Sequence, residues 1–495
     1  MAGASGIKNF LFSFLLASPL FNPAWASSAE ACSQLAAASP NRVVTANSTA
    51  LYNRLRMHHM SPTAYGSPLC IYSPESANAL AKAFSILIST NATIAVRGQG
   101  HSPLRGWADI DNGVSIVTSD IRDISYDEVS GNVVAGMGNS WNNVYKYTET
   151  FGRLAVGARG PSVGLATVLG GGLSHLSSKY GFPADSVISF ELLTANGTLI
   201  NVSEDSNPDL FFALKAGSTN YGIVTHITLA TYPVGKVWGG TLVYTNDQRD
   251  ALMRAFSTHQ RQGQLDTNSA LLSYMGITNN TIYVNLVYLD GVDHPKSFQP
   301  FYDIPKIADT TAIHDNFTDL IKAGVDLVVP RWTQGATTFL LDEATYVDVG
   351  RLCQNASNTL SAIQGGTMIL MPQPISKSMV TGSWKRGPNP MAQNLKEAAQ
   401  MWLSINIGWV LAEDDAKVAT ILEDIFCKID DLTKSRGLYH PFIFANDASD
   451  VQKPLASYGR DVFAKLRQVR SVVDPNAFFQ KNFPGGYKLG SRQNY

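Results

Sequence analysis

A short segment with two glycines and a histidine has the residue types of a ligand-binding turn. It follows an apolar run that ends at Val96, and its sequence is Arg97-Gly98-Gln99-Gly100-His101-Ser102. Glycines on both sides of Gln99 let the backbone turn tightly and approach a ligand closely. The N–H groups of such a turn can surround a phosphate. His101 adds a nucleophilic imidazole, so the segment predicts a nucleotide cofactor that is held covalently. An ordinary glycine-rich loop is the alternative.

A second glycine-rich stretch follows between residues 156 and 174. It contains Gly160-Pro161-Ser162-Val163-Gly164 and then Gly170-Gly171-Gly172. Consecutive glycines with apolar residues on both sides indicate close approach of the backbone to a flat or anionic group. A flexible loop is the alternative here. A further glycine segment, Tyr221-Gly222-Ile223, leads into a strand that is predicted to continue to Pro233.

Proton transfer requires ionisable side chains, and four are candidates for catalysis: Asp447, Tyr458, Glu343 and Tyr346. Asp447 is either a general base or a turn-forming aspartate after Asn446. Tyr458 is either a phenol that contacts the substrate or a tyrosine of the core. Glu343 and Tyr346 lie in a run, 342–348, that alternates polar and apolar residues and therefore predicts a strand. A solvated sheet face is the alternative for this pair.

The first 26 residues have the features of a secretory signal peptide. Lys8 precedes an apolar run over 10–20, and Ala24-Trp25-Ala26 offers small residues for cleavage after Ala26. The run is short for a membrane span, although an uncleaved anchor is the alternative. We therefore expect a secreted or vesicular protein without a membrane segment after cleavage. Seven N-x-S/T sequons predict a glycoprotein: Asn47, Asn91, Asn196, Asn201, Asn279, Asn316 and Asn355.

Cysteine spacing and net charge argue against a metal site and against binding of nucleic acid. None of the four cysteines is spaced as in a metal site, so no metal is expected. In an oxidising compartment a disulfide between Cys32 and Cys70 is favoured. A Cys353–Cys427 bridge is also conceivable, with a buried free thiol at Cys427 as the alternative. The net charge of −1 gives no basic excess for nucleic acid.

The 495 residues divide into several segments by composition. After the signal peptide (1–26) comes an N-terminal arm (27–62). A first domain (63–236) alternates short strands with helices, including a strand at 107–110 and a helix that Ser73 caps. From residue 237 β-branched strands replace the glycine clusters, which predicts an antiparallel sheet covered by helices over 237–440. A C-terminal segment (441–495) completes an α+β protein.

Five motifs in this order and spacing resemble the FAD-linked oxidoreductases with a PCMH-type FAD-binding domain. Within that vanillyl-alcohol-oxidase group, the chain resembles the berberine-bridge-enzyme-like branch and its fungal oxidases of secondary metabolism. The resemblance covers nearly all of the chain after residue 26 and implies a two-part FAD-binding domain plus a substrate domain. The motifs are Arg97–Ser102, Val163-Gly164 with Gly170-Gly171-Gly172, Asp209–Leu214, Asn220–Thr225, and Asp474-Pro475 with Phe478.

The resemblance implies FAD as the cofactor. In the family the first turn and the triple glycine enclose the pyrophosphate and ribityl chain, and the histidine of the turn, here His101, is bonded to the 8α-methyl group of the isoalloxazine. The oxidised ring makes that methyl electrophilic, and a neutral imidazole is a suitable nucleophile. The implied FAD-binding residues are Arg97, Gly98, Gln99, Gly100, His101, Ser102, Gly164, Gly170, Gly171, Gly172, Tyr221, Gly222 and Ile223.

Three positions depart from the family pattern. Many relatives bind the flavin a second time through a cysteine where this chain has Gly160, so attachment is expected to be monocovalent. Residues 165–167 replace the small residue and two glycines that control oxygen access, which leaves the electron acceptor open. Asp447 replaces the last tyrosine of a Tyr-x-Asn-Tyr signature. The family's catalytic base therefore cannot be transferred to this chain.

These observations predict a secreted, FAD-dependent oxidase that transfers a hydride from a small organic secondary metabolite to FAD, with a coupled cyclisation as an option. We expect a small-molecule substrate, molecular oxygen as a candidate acceptor and a monomeric protein. Ser404 and Asn406 share one face of a predicted strand and could contact the substrate. One alternative is a carbohydrate oxidase with Trp384 and Trp409 as sugar platforms. The other is a non-redox cyclase or binding glycoprotein.

Overall fold

The computed structural model of the protein describes residues 23–262, 265–276, 278, 280–322, 330–395 and 399–490. Within these residues the strands form three sheets, and no helix is both long and apolar enough to cross a membrane. The helices are α1 (Pro23–Ala38), α2 (Thr49–Arg56), α3 (Ala77–Ser89), α4 (Trp141–Glu149), α5 (Ser177–Tyr180), α6 (Pro208–Leu214), α7 (Arg249–Gln262), α8 (Gln299–Tyr302), α9 (Phe317–Lys322), α10 (Glu343–Ser357), α11 (Lys377–Lys385), α12 (Asp415–Ser435), α13 (Pro454–Ser457), α14 (Arg460–Val473) and α15 (Phe478–Lys481).

The first sheet has the strand order β1-β2-β4-β3 and delivers the chain to the Gly98–Ser102 turn. Helix α3 connects β2 to β3. It begins after Ser76, whose Oγ accepts the N–H of Ala79. The predicted cap at Ser73 is wrong because the N–H of Ser73 is bonded to the carbonyl of Arg42, which keeps this segment extended. The strands are β1 (Val43–Thr45), β2 (Cys70–Tyr72), β3 (Ile94–Arg97) and β4 (Val114–Val117).

The second sheet is antiparallel and is built around its long strand β10. The strand predicted at 107–110 is absent. This segment is a turn because the buried carboxylate of Asp109 accepts the backbone N–H groups of Gly66 and Ile110, which takes the segment out of any ladder. The strands are β5 (Ile124–Asp127), β6 (Asn132–Gly136), β7 (Arg153–Ala155), β8 (Val187–Leu193), β9 (Leu199–Ser203) and β10 (Ile223–Pro233).

The third sheet is antiparallel and is covered on one face by α7, α10 and α12, as predicted. Successive side chains of strand β18 point to opposite faces of the sheet. Leu403 and Ile405 pack against the helices, whereas Trp402 points to the opposite face and stacks on Phe182 of the first domain. The strands are β11 (Val237–Thr245), β12 (Ser269–Gly276), β13 (Thr281–Tyr288), β14 (Ala308–Asp309), β15 (Ala312–His314), β16 (Arg331–Leu340), β17 (Thr367–Ile375), β18 (Gln400–Trp409) and β19 (Tyr439–His440).

This sheet splits between β12 and β17. Among the described residues, the two strands pair only at Met275–Leu370 and Gly276–Ile369. The N–H of Met368 points toward the β12 side, where it donates to the Oγ1 of Thr278. Pro372 and Pro374 lie an even number of residues farther along β17, so their backbone nitrogens point to the same side. Because proline has no N–H, the ladder cannot continue past them. The split leaves a cavity whose lining reaches from Arg159 on the first-domain side to His259 on the helix side.

Both chain ends support the first sheet. The predicted disulfide between Cys32 and Cys70 is present. Cys353 and Cys427 are free, and Cys427 is exposed, so neither the second bridge nor the buried thiol at Cys427 is observed. At the other end, the carbonyl of Asn482 accepts the N–H of Ile94 at the start of β3 (2.7 Å). The C-terminal segment therefore completes the sheet from which the Gly98–Ser102 turn emerges.

Candidate active site

The two predicted glycine-rich segments meet in the structure. A Cβ on Gly164 would lie 3.2 Å from the Cβ of Gln99, so only glycine lets the segments approach this closely without a shift. The Nε2 of His101 lies 3.3 Å from the Oγ of Ser162. His101 and Ser102 are half-buried, as are Val163 and Gly164. The imidazole is therefore at the junction of both segments, where a shared ligand would contact it.

The Gly98–Ser102 turn presents backbone donors that no described residue accepts. Among the described residues, no acceptor is found for the N–H groups of Gly98, Gln99, Gly100 and Ser102, although Gly100 is buried. Gly100 has φ +69°, and a Cβ there would lie 2.4 Å from the carbonyl oxygen of His58. Unpaired buried amides are costly unless a ligand accepts from them. These donors fit an anionic group such as the pyrophosphate of a dinucleotide.

The triple glycine makes room for side chains of the protein itself, whereas the sequence suggested close approach to a ligand. A Cβ on Gly170 would lie 2.7 Å from the amide of Asn446, and one on Gly171 would lie 2.3 Å from the sulfur of Met391. The Oδ1 of Asn446 accepts the N–H of Gly172 (3.1 Å), and its Nδ2 donates to the carbonyl of Thr167 (3.1 Å). Gly170 and Gly172 thus let the C-terminal segment dock on the first domain, which positions Asp447, and Gly171 makes room for Met391.

Two of the residues implied to bind FAD direct their side chains away from the turn. The guanidinium of Arg97 is buried and contacts the Nε2 of His59 (2.7 Å) and the carbonyl of Leu55 (2.5 Å). The hydroxyl of Tyr221 donates to the carbonyl of Leu466 across the core (3.5 Å). Gly222 and Ile223 continue into β10 and are also buried. Any contact of Arg97 or Tyr221 with a cofactor is therefore through the backbone, because both side chains are used to support the fold.

A polar surface of the third sheet faces this junction. The Nδ2 of Asn406 donates to the Oγ of Ser404 (3.1 Å), so the two residues share a face as predicted. On the adjacent strand, the Nε2 of Gln334 donates to the carbonyl of Asn446 (2.9 Å). The sheet and the C-terminal segment are thereby joined beside the triple glycine.

Asp447 belongs to a partly buried polar cluster that is joined through Gln373 to the split between β12 and β17. Its Oδ2 accepts the Nε2–H of Gln373 (2.6 Å), and the Oε1 of Gln373 accepts an N–H of Arg159. Burial raises the pKa of Asp447, and the charge of Arg159 and the Gln373 bond oppose that rise. Burial, with a further contribution from the Arg159 charge, lowers the pKa of His175 to about 3. The cluster therefore contains one carboxyl suited to proton transfer and a neutral imidazole.

Gln373 and Arg159 were not singled out from the sequence. Gln373 does have a local signal, since it is a polar residue in the run 368–375, which is otherwise apolar. Arg159 has none, because its role depends on a partner 214 residues away.

The strand predicted over 342–348 is wrong, and Glu343 and Tyr346 do not belong to the cluster. The segment begins helix α10, which Asp342 caps by accepting the N–H of Thr345 (2.8 Å). Glu343 is on the surface, and its nearest cation is Arg254 at 3.9 Å. Tyr346 is buried in the helix layer, on the far side of the sheet from Asp447.

Tyr458 is likewise a tyrosine of the core. Its hydroxyl donates to the carbonyl of Ala216 (3.3 Å), its ring stacks on Phe442, and burial raises its pKa. Of the four catalytic candidates, Asp447 alone lies in the polar cluster.

Replacing Tyr346 with phenylalanine should affect stability and not catalysis. The substitution removes the hydroxyl that donates to the Oε1 of Gln260 (2.5 Å) and leaves that buried acceptor without its bond. We expect the free energy of unfolding to fall by about 1–2 kcal/mol, measured by urea denaturation. The rate at which substrate reduces the flavin should stay within about twofold of wild type. A large loss of that rate with unchanged stability would contradict this placement.

Comparisons with known proteins agree with this fold and site. A family model described as an FAD binding domain matches residues 68–203. The chain is 39% identical over 459 residues to the bifunctional solanapyrone synthase of Alternaria solani, a match that spans 93% of this chain and 89% of that protein.

Among solved structures, 6-hydroxy-D-nicotine oxidase from Arthrobacter nicotinovorans gives a TM-score of 0.75 at 19% identity and covers 90% of this chain and 97% of its own. A glucooligosaccharide oxidase from Acremonium strictum, whose FAD is described as 6-S-cysteinyl, 8α-N1-histidyl, gives 0.73 at 16% identity and the same two coverages, 90% and 97%.

The family match and the 39% identity over 93% of the chain show that the protein is an FAD-dependent oxidoreductase. The chain belongs to the FAD-linked oxidoreductases with a PCMH-type FAD-binding domain, in the vanillyl-alcohol-oxidase and berberine-bridge-enzyme-like group, and is similar to solanapyrone synthase. The predicted family and the α+β fold are confirmed.

Proposed function

We propose that this protein is a secreted FAD oxidase that holds its cofactor through a single bond to His101 and oxidises a small secondary metabolite. The observation that carries the proposal is the position of His101, between the unpaired amides of the Gly98–Ser102 turn and Ser162 of the second glycine segment. An imidazole beside a dinucleotide site can act as the nucleophile in covalent attachment.

Attachment through a single bond is supported by the lack of a cysteine at the position of the second bond. The glucooligosaccharide oxidase with similar fold carries a cysteinyl bond in addition to its histidyl bond. In this chain Gly160 takes the corresponding position, and the sequence has no cysteine between Cys70 and Cys353. A second bond of that kind therefore has no donor.

The proposed chemistry divides between cofactor and protein. When bound, FAD supplies the two-electron oxidation by accepting a hydride from a substrate carbon. The chain must then take the proton of the substrate hydroxyl. Asp447 is the proposed base, since its carboxylate lies in the partly buried cluster and is fixed by Gln373. Asn446 holds the position of this segment against the triple glycine.

Secretion and glycosylation are part of the proposal. Six of the seven sequon asparagines are exposed in the structure, as glycan attachment requires, whereas Asn279 lies outside the described residues. The Cys32–Cys70 disulfide fits an oxidising compartment. Residues 1–22 of the proposed signal peptide also lie outside the described residues. We keep the predicted division into an arm (27–62), an FAD-binding domain (63–236), a substrate domain (237–440) and a C-terminal segment (441–495), and we propose a monomer.

Coupled cyclisation is the second candidate activity, because the relative that shares 39% of its residues is named a bifunctional synthase. The carbohydrate alternative has less support. Trp409 is buried and its Nε1 donates to Asp415 (2.9 Å), so it offers no sugar platform. Trp384 is 42% exposed, but its Nε1 is bonded to the carbonyl of Ala392.

The proposed function is tested on protein purified from a secreting fungal host. Flavin fluorescence should stay with the polypeptide on a denaturing gel, and a secondary metabolite with an oxidisable hydroxyl should bleach the flavin without oxygen. On readmission of air, hydrogen peroxide should form with the stoichiometry of the oxidised product. Protein that binds FAD but is bleached only by oligosaccharides would support the carbohydrate alternative. Protein that no candidate substrate bleaches would favour a non-redox role.

A further inference from the structure

Arg159 is held rigidly at the edge of the second glycine segment. The hydroxyl of Tyr145 donates to the carbonyl of Ala158 (2.7 Å), and a Cβ on Gly157 would lie 2.0 Å from the ring of Trp141. The loop is thus packed tightly on helix α4. From this loop the side chain of Arg159 crosses to the third sheet and reaches Gln373 on β17.

The Arg159 guanidinium has more N–H donors than there are acceptors around it. It carries five N–H groups, and among the described residues its single hydrogen-bond acceptor is the Oε1 of Gln373. Asp447 does not form an ion pair with it, because Gln373 stands between them and donates to the carboxylate. A charge deep in a protein is strongly disfavoured unless it is paired.

Arg159 also lines a small cavity of about 20 Å³. The residue is half-buried, and the cavity lies at the split between β12 and β17. The ionisable groups near it are Asp447, the phenol of Tyr274, and a His175 that is neutral at ordinary pH. None of these supplies an ion-pair partner, so the cavity is where a further acceptor can come from. The remaining lining combines small or polar residues, such as Ser174 and Ser269, with the larger apolar side chains of Leu173, Leu271 and Met379.

We propose that Arg159 binds an oxyanion of the substrate, such as a carboxylate or an ionised enol or phenol. A guanidinium forms two parallel bonds to a carboxylate and a charge-assisted bond to an enolate or phenolate oxygen, which an uncharged hydroxyl cannot match. The amide of Gln373 separates Arg159 from Asp447. One substrate molecule can therefore place an acidic oxygen at Arg159 and an oxidisable hydroxyl at Asp447. This inference rests on the proposed function and narrows its substrate to acidic small molecules.

Benzoate and benzamide are the probes for this site, since they differ in charge and little in shape. Binding to the holoenzyme is followed by the change in flavin absorbance. We expect benzoate to bind wild type, and Arg159→Met to raise its Kd about 10–100-fold, with Arg159→Lys in between. The Kd of benzamide should change less than about threefold in either variant. Arg254→Met, an exposed arginine on α7, is the matched control and should bind benzoate as wild type does.

Two results would overturn the proposal: no spectral change of the wild-type flavin with benzoate, or an equal Kd in wild type and Arg159→Met. The acid-stable flavin of each variant is measured in parallel. If it is present while benzoate and benzamide are not distinguished, the oxyanion site fails and the proposed covalent oxidase stands. If acid-stable flavin is absent from wild type itself, the proposed function fails first.

Discussion

Replacing His101 with alanine should abolish acid-stable flavin. After acid precipitation, flavin absorbance in the wild-type pellet should match the protein concentration. In His101→Ala it should fall at least about tenfold, to background, because the nucleophile that forms the bond is gone. The donors of the Gly98–Ser102 turn are backbone N–H groups that the substitution leaves in place. The variant should therefore still bind FAD, and release it into the acid supernatant.

Two controls separate this effect from misfolding. His294→Ala changes an exposed histidine far from the turn and should keep the flavin in the pellet. Ser162→Ala removes the hydroxyl 3.3 Å from the Nε2 of His101 and should slow attachment without preventing it. Acid-stable flavin in His101→Ala would show that another residue carries the bond, and the assignment of His101 would then be wrong.

Replacing Asp447 with asparagine should have the second large effect, on turnover. Loss of a positioned base lowers kcat by about 10²–10⁴-fold. The amide of asparagine can still accept the N–H of Gln373, so the cluster and the covalent flavin should persist. The measurement is the anaerobic rate of flavin reduction by a substrate that reduces the wild-type enzyme. Asp450→Asn, an exposed aspartate three positions later, should leave that rate unchanged.

The pH dependence gives an independent check on Asp447. Because burial raises the pKa of this carboxyl, the wild-type rate should fall as the pH drops through that raised value, where the base becomes protonated. His175 should add no second step above about pH 4, because its pKa is about 3. Asp447→Asn should lose the acidic limb altogether. A limb that survives in this variant would assign the titration to another group.

Local sequence was informative where the chemistry itself is local. His101 and the glycines around it lie within six residues, and their types alone indicate a cofactor turn. Asp447 was a weaker candidate, since its docking on the triple glycine through Asn446 spans 274 residues. Arg159 could not be found in this way, because an arginine in a glycine-rich loop acquires its significance only from Gln373 and the cavity.

The strand predicted over 342–348, which includes Glu343 and Tyr346, is wrong for a physical reason. Alternation of polar and apolar residues over seven positions occurs in the first turns of a helix as well as in a strand. The sequence did contain the deciding signal, which is the aspartate Asp342 three residues before Thr345 at the N-cap. The length of α10, through Ser357, also favours a helix over a strand.

The position of Asn482 has a consequence for biogenesis. Its side chain bonds Asn91, 391 residues earlier, and its backbone bonds the first residue of the strand that leads into the cofactor turn. The ribosome must therefore release nearly the whole polypeptide before that turn can reach its final form. The proposed attachment of the flavin would then be a late event, on a fully synthesised chain, and a truncation that removes residues 478–487 should prevent it.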